Sequence, residues 1–127
     1  MSILRNESTP EGKKIWEAVD NAAAKAPNWL REKIENAPLN IKKGEKIKMF
    51  EELVKSERDR QDIKWGVQRH QWCEWSTILG EEYGEVAKAC LELRFNYPKA
   101  SLQKIEEELV QTAAVCKAIW EHIQEVK

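Results

Sequence analysis

Two runs of acidic residues stand out by type and spacing. Glu81-Glu82-Tyr83-Gly84-Glu85 is the first, and Glu106-Glu107-Glu108-Leu109-Val110-Gln111 the second. In each, the first and last members of a pair lie three residues apart, Glu82 with Glu85 and Glu108 with Gln111. Three carboxylates and an amide brought together repel one another and raise each other's pKa unless a cation sits among them. All-oxygen donors of this kind suit Mg²⁺ or Mn²⁺, with water and phosphate oxygens completing the shell. Either pair alone is far more often the solvated flank of a helix, so the chemistry depends on whether the chain brings the pairs together.

The surrounding apolar spacing says that it does. Trp72, Leu79, Val86 and Leu93 recur every seven residues, with Trp75 or Ser76, Tyr83 and Cys90 between them. Leu102, Ile105, Leu109, Thr112, Cys116, Ile119, Ile123 and Val126 alternate steps of three and four. Both are one-faced helical stripes of coiled-coil type. Asn96-Tyr97-Pro98 breaks the pattern between them, and a break this short makes the two helices antiparallel neighbours. With the stripes as the seam, both acidic pairs fall on the same flank of it. A turn centred near Asn96 or Tyr97 sets Glu82 and Glu85 level with Glu108 and Val110 to Gln111. The expected site is therefore Glu82, Glu85, Glu108 and Gln111 along one edge of a helix hairpin. Gly84 between the two acids leaves room for a close neighbour.

These motifs resemble a known family. Glu82-Tyr83-Gly84-Glu85-Val86 is similar to the Glu-x-x-Glu motif of the MazG-like all-α nucleoside triphosphate pyrophosphohydrolases, the group of the dimeric dUTPases and dCTP pyrophosphatases, in its bacterial and bacteriophage forms. Glu108-Leu109-Val110-Gln111 stands where the second motif, Glu-x-x-Asp, would be. Glu57-Arg58-Asp59, Trp65-Gly66 and His70 resemble the segment upstream of the first motif. The likeness covers residues 50 to 125. It implies a helical bundle completed by oligomerisation, as a homodimer or larger. It also implies Mg²⁺, with Mn²⁺ as a substitute, held by Glu82, Glu85, Glu108 and Gln111. The implied reaction is hydrolysis of a nucleoside triphosphate to monophosphate and pyrophosphate. One position departs from the pattern: Gln111 replaces Asp, and an amide oxygen can ligate but brings no charge. Glu107 or Glu81 could compensate. A second reading is a helical nucleotide- or protein-binding module whose catalysis that exchange has weakened or abolished. A third is a structural oligomerisation domain.

Within the first reading Glu82 or Glu81 accepts the proton of the attacking water. Lys64, Arg69 and Lys88 are candidate phosphate contacts. Trp65, beside Gly66 in an expected loop over 63–71, can stack a base, and His70 stands with it. Each has a plainer alternative, Trp65 and His70 as structural groups and Lys88 as a partner of Glu85. The dense charge run Glu57-Arg58-Asp59-Arg60-Gln61-Asp62 reads as a solvated helix end with internal ion pairs. Its alternative has Glu57 or Asp62 supporting the metal and Arg58 or Arg60 meeting phosphate.

The rest of the chain supports these elements. With 127 residues it is long enough for one domain. Charged residues make up 34% and hydrophobic ones 42%, so it can bury a core. The net charge of −1 gives no bulk attraction to nucleic acid or membrane, and stable nucleic-acid binding is not expected. Cys73, Cys90 and Cys116 show no metal spacing; Cys90 and Cys116 sit on the stripes and read as small core residues in a reducing cytoplasm. No leader is recognisable, and no apolar run is long enough to span a bilayer.

Thr9-Pro10-Glu11 reads as a helix start, with Ile15, Trp16, Val19, Ala22, Ala23 and Ala26 as its apolar face. Asn28 is placed to cap a short helix ending before Pro38. A third helix runs from Glu45 to Asp62 and buries Ile47, Phe50, Leu53 and Val54. Residues 1–44 thus form accessory helices and a linker in which no chemistry-bearing pattern is visible, and 45–127 form the main helical domain.

Overall fold

The computed structural model describes residues 8–14, 27–38, 40 and 42–127. Among them every regular element is a helix. α1 spans Asn28–Glu35, α2 Lys43–Trp65, α3 Trp72–Arg94 and α4 Leu102–Val126. Upstream, the Thr9 hydroxyl accepts a hydrogen bond from the Gly12 N–H at 3.0 Å, as the expected helix start requires. The apolar face from Ile15 to Ala26 lies outside the described residues.

Local chemistry explains the boundaries. Pro27, not Asn28, precedes the first turn of α1, and Asn28 is the first helical residue. α2 runs past the expected end and takes in Trp65, so the loop before α3 is shorter than 63–71. Gly66 stops it with φ 73° and ψ 172°, a region open in practice only to glycine. The Gln71 N–H meets the Glu74 carboxylate at 3.2 Å at the start of α3. The end of α3 is a Schellman turn. Asn96 adopts φ 55°, its N–H bonds the Leu93 carbonyl at 3.2 Å, and the Tyr97 N–H bonds the Glu92 carbonyl at 3.0 Å. Asparagine tolerates that left-handed geometry better than other side chains. Ser101 then caps α4 by accepting from the Lys104 N–H at 3.1 Å.

α4 is the central element, and α3, α2 and α1 all pack against it. One core cluster joins Leu30 and Ile34 of α1, Leu53 and Val54 of α2, and Val110 and Ala114 of α4. A second joins Trp75 and Ile78 of α3 to Val115 and Ala118 of α4. The alanines let the helix axes approach. A polar lock closes the far end of the hairpin: the Trp75 indole N–H donates to His122 Nδ1 at 2.8 Å. This places the proton of a neutral His122 on Nε2. Trp72 stacks over the same imidazole at 4.6 Å.

The antiparallel hairpin has the expected turn, but a different face of it is buried. Trp72 is half exposed, and Tyr83, Leu102, Leu109, Ile123 and Val126 are exposed, as are Cys90 and Cys116. Ile47 and Phe50 are also exposed, leaving Leu53 and Val54 as the buried residues of the expected α2 face. The reason lies in α4, which has two apolar faces. The one used carries Val110, Ala114, Val115 and Ala118, against which α1, α2 and α3 pack. Of the heptad stripe, Leu102, Leu109, Cys116 and Ile123 are turned toward solvent, while Ile105, Thr112 and Ile119 are half-buried at its edge. No helix of the described residues is long and apolar enough to cross a membrane.

Candidate metal centre

Because α2 and α1 cover the flank that carries the acids, that flank becomes bundle interior. Glu82, Glu107, Glu108 and Gln111 are all buried, and Glu82 is only 1% exposed. Glu85 is half-buried. The register is the expected one: the Thr112 hydroxyl, bonded to the Glu108 carbonyl at 2.8 Å, also lies 3.5 Å from the Glu82 carbonyl across the hairpin.

Glu82 is the most perturbed group. Burial removes its hydration, and the charges of Glu108, Glu85, Glu57 and Glu81, in that order, push the same way, raising its pKa from 4.5 to about 8. Its Oε1 has no hydrogen-bond partner, and neither does Gln111 Nε2. Near neutral pH this carboxyl holds a proton unless a cation replaces it.

The neighbouring acids are compensated. Glu108 meets Lys104 Nζ at 2.9 Å. Glu107 meets Arg31 Nε at 3.2 Å and Gln103 Nε2 at 3.3 Å. Glu57, fully buried on α2, is gripped by Arg60 at 2.6 Å and by Gln61 at 3.1 Å. Glu57 therefore belongs to the acidic interior, which the plain reading of its charge run as a solvated end did not allow. Burying a charge this deeply requires the partner that Arg60 supplies. Glu81 is half-buried and lines an outer groove of α3 with Tyr83, Leu91 and Phe95. A side chain added at Gly84 would meet nothing within 4 Å, so no neighbour within the chain uses the space it leaves.

The donors are of the type a hard divalent cation takes. As the side chains stand, no three Asp, Glu, His or Cys groups among the described residues are grouped to hold an ion.

Beside this cluster opens a cleft of about 550 Å³. Glu35, Glu85, Glu92, Glu107 and Glu108 line it together with four cations, Arg31, Lys88, Lys99 and Lys104. The size suits a small-molecule ligand.

The other expected substrate contacts gather elsewhere. The expected loop ends at Trp72, ten residues before Glu82, roughly 15 Å along the helix. Trp65 lies under Lys64 at 5.0 Å and Arg60 at 5.5 Å. Arg69 pairs with Glu125. His70 bonds Gln68 at 3.2 Å, lies 3.3 Å from Glu74 and meets Trp75 edge-on at 4.6 Å. Burial holds its pKa below the ordinary value despite the pull of Glu74. Arg58, also buried, ties Asp62 at 3.1 Å to Glu121 of α4 at 2.8 Å. Of the predicted substrate contacts, Lys88 alone lines the cleft beside Glu85 and Glu108.

No family model matches the chain, and no curated protein or solved structure matches it either.

Proposed function

We propose that this chain is a divalent-cation-dependent hydrolase of nucleoside triphosphates, of the MazG-like kind its motifs resemble, releasing monophosphate and pyrophosphate. Glu82 carries the reading. A deeply buried carboxyl with a bare oxygen, set among further carboxylates, costs folding energy. A bound cation would offset that cost. Glu82, Glu85 and Glu108 would hold Mg²⁺ or Mn²⁺, with the Gln111 oxygen as a neutral fourth donor. Ligation by Glu108 would replace its ion pair with Lys104. When bound, the cation supplies Lewis acidity toward the α-phosphoryl group and lowers the pKa of a water.

The chain's own groups do the rest. Glu82 or Glu81 would take the water's proton. Lys88 and the other cations of the cleft meet the phosphates. Lys64, Trp65, Arg69 and His70 keep to their contacts at the other end of the bundle. A cytoplasmic setting fits the three free cysteines. The experiment is pyrophosphate release from a panel of canonical and modified nucleoside triphosphates. Release should require Mg²⁺ or Mn²⁺, stop with chelator, and fall at least a hundredfold in Glu85→Ala. No release from any triphosphate by folded protein sinks the reading.

One observation favours a second reading. Gln111 contributes no charge, and no three ligands are grouped as the side chains stand. A binding module would hold the nucleotide without turnover, and the same panel would show binding with no pyrophosphate.

The oligomer expectation also belongs here. The stripe Leu102, Leu109, Cys116 and Ile123, continued by Tyr83 and Cys90 on α3, is exposed while keeping a coiled-coil period. A second copy presenting the same two helices would cover it, as an isologous dimer. Light scattering should give twice the chain mass, and Leu109→Glu should halve it. A monomeric wild type at high concentration would rule the dimer out.

A further inference from the structure

The helix α1 lies outside the stretch that resembles the family, yet it supplies one wall of the cleft. Its Leu30 is fully buried, and with Ile34 it packs against Val110 and Ala114 of α4. The next residue, Arg31, is thereby held at a set position over the cleft. Only its Nε is engaged, on Glu107 at 3.2 Å. The two terminal nitrogens take no partner among the described residues, and 43% of the side chain is exposed. Lys99, in the turn after α3, and Lys88, on α3, make no ion pair with any described residue. Cations from three separate elements therefore converge on one cavity with donors to spare.

We propose that α1 completes a polyphosphate-binding wall. Arg31, Lys99 and Lys88, with Lys104, hold the phosphate chain of a nucleoside triphosphate whose metal lies at Glu85 and Glu108. This rests on the hydrolase reading for the identity of the ligand, and it assigns the accessory helix a place in substrate recognition. A guanidinium with free terminal nitrogens matches two phosphate oxygens at once, while an ammonium acts as a point charge. The cleft's carboxylates outnumber its cations by one, five to four. A bare polyphosphate is therefore poorly received, and one accompanied by a divalent cation is accepted.

The probe is inorganic tripolyphosphate, titrated calorimetrically into the full chain with Mg²⁺ in excess. Wild type binds. Arg31→Gln and Lys99→Ala each weaken binding about tenfold, and the pair together about a hundredfold. Lys117→Ala, on an exposed position of α4 outside the cleft, leaves it unchanged. Lys99 is exposed in a turn, so its variant tests the wall even if Arg31→Gln disturbs Glu107 and folding. Triphosphate turnover is measured on the same samples. Unchanged tripolyphosphate affinity in both variants overturns the wall and leaves the hydrolase reading standing if turnover persists. Weakened binding in both variants upholds the wall, even with no turnover, and in that case the hydrolase reading fails instead. A wild type that does not bind tripolyphosphate overturns the wall, whatever its turnover.

Discussion

Glu82→Gln is expected to make the metal-free protein more stable above neutral pH and to abolish its response to metal. The sign follows from linkage. Glu82 titrates near 4.5 unfolded and at about 8 folded, so between these values the folded state binds more protons. Stability from this group is complete below about pH 4.5 and is lost as pH rises through about 8. Gln111 and the neighbouring acids are unchanged in the variant, and a neutral amide does not titrate. At pH 5 the two proteins should unfold at similar denaturant concentrations. Near pH 9, with chelator, the variant should be more stable by a few kcal/mol, at about 1.4 kcal/mol per unit of pKa shift. Excess Mg²⁺ should reverse the order, because only the wild type gains the cation that balances its charge. Denaturation curves at the two pH values, with and without Mg²⁺, check this. A variant no more stable than wild type near pH 9 would mean that Glu82 is not held as described.

Gln111→Asp should have the second largest effect, with opposite signs in the two states. It removes a buried N–H donor that has no partner and adds a carboxylate beside an already crowded set. Without metal, that charge pushes Glu82 higher and lowers stability. With metal, a fourth anionic ligand should tighten Mn²⁺ binding about tenfold or more, since affinity at such sites follows ligand charge. Activity, if slow in wild type, should rise. The Mn²⁺ dissociation constants of the two proteins decide it. Equal affinities would place residue 111 outside the coordination shell.

The hairpin was legible because its signals are local. Asn96 before Tyr97-Pro98 forms the turn, and the turn sets the register that puts Thr112 beside the Glu82 carbonyl. The juxtaposition of Glu82 with Glu108 could be read from that register alone. What could not be read was the side on which the other helices pack. The long stripe Leu102, Leu109, Cys116 and Ile123 has the stronger periodicity, yet α1 and α2 cover the face of Val110, Ala114 and the glutamates. Small and acidic residues look like a solvent flank until a third helix lies on them. Glu57 looked like the end of a charged run for the same reason. Trp65 and His70 share an expected loop, yet α2 takes in Trp65 and His70 packs edge-on against Trp75 of α3. Arg31 has no local motif, and its place over the cleft depends on Leu30 docking to α4.

The Glu82 cluster is expected to exchange its proton for a divalent cation. The most direct measurement is calorimetric titration of Mn²⁺ into the metal-free protein at pH 7, repeated in buffers of different ionisation enthalpy. One ion should bind per chain with release of close to one proton, because Glu82 is mainly protonated there. Affinity should rise with pH up to about 8 and then level off, and Glu82→Gln should lose both the binding and the proton. Absence of Mn²⁺ binding, or binding that survives Glu82→Gln with no proton released, would contradict it.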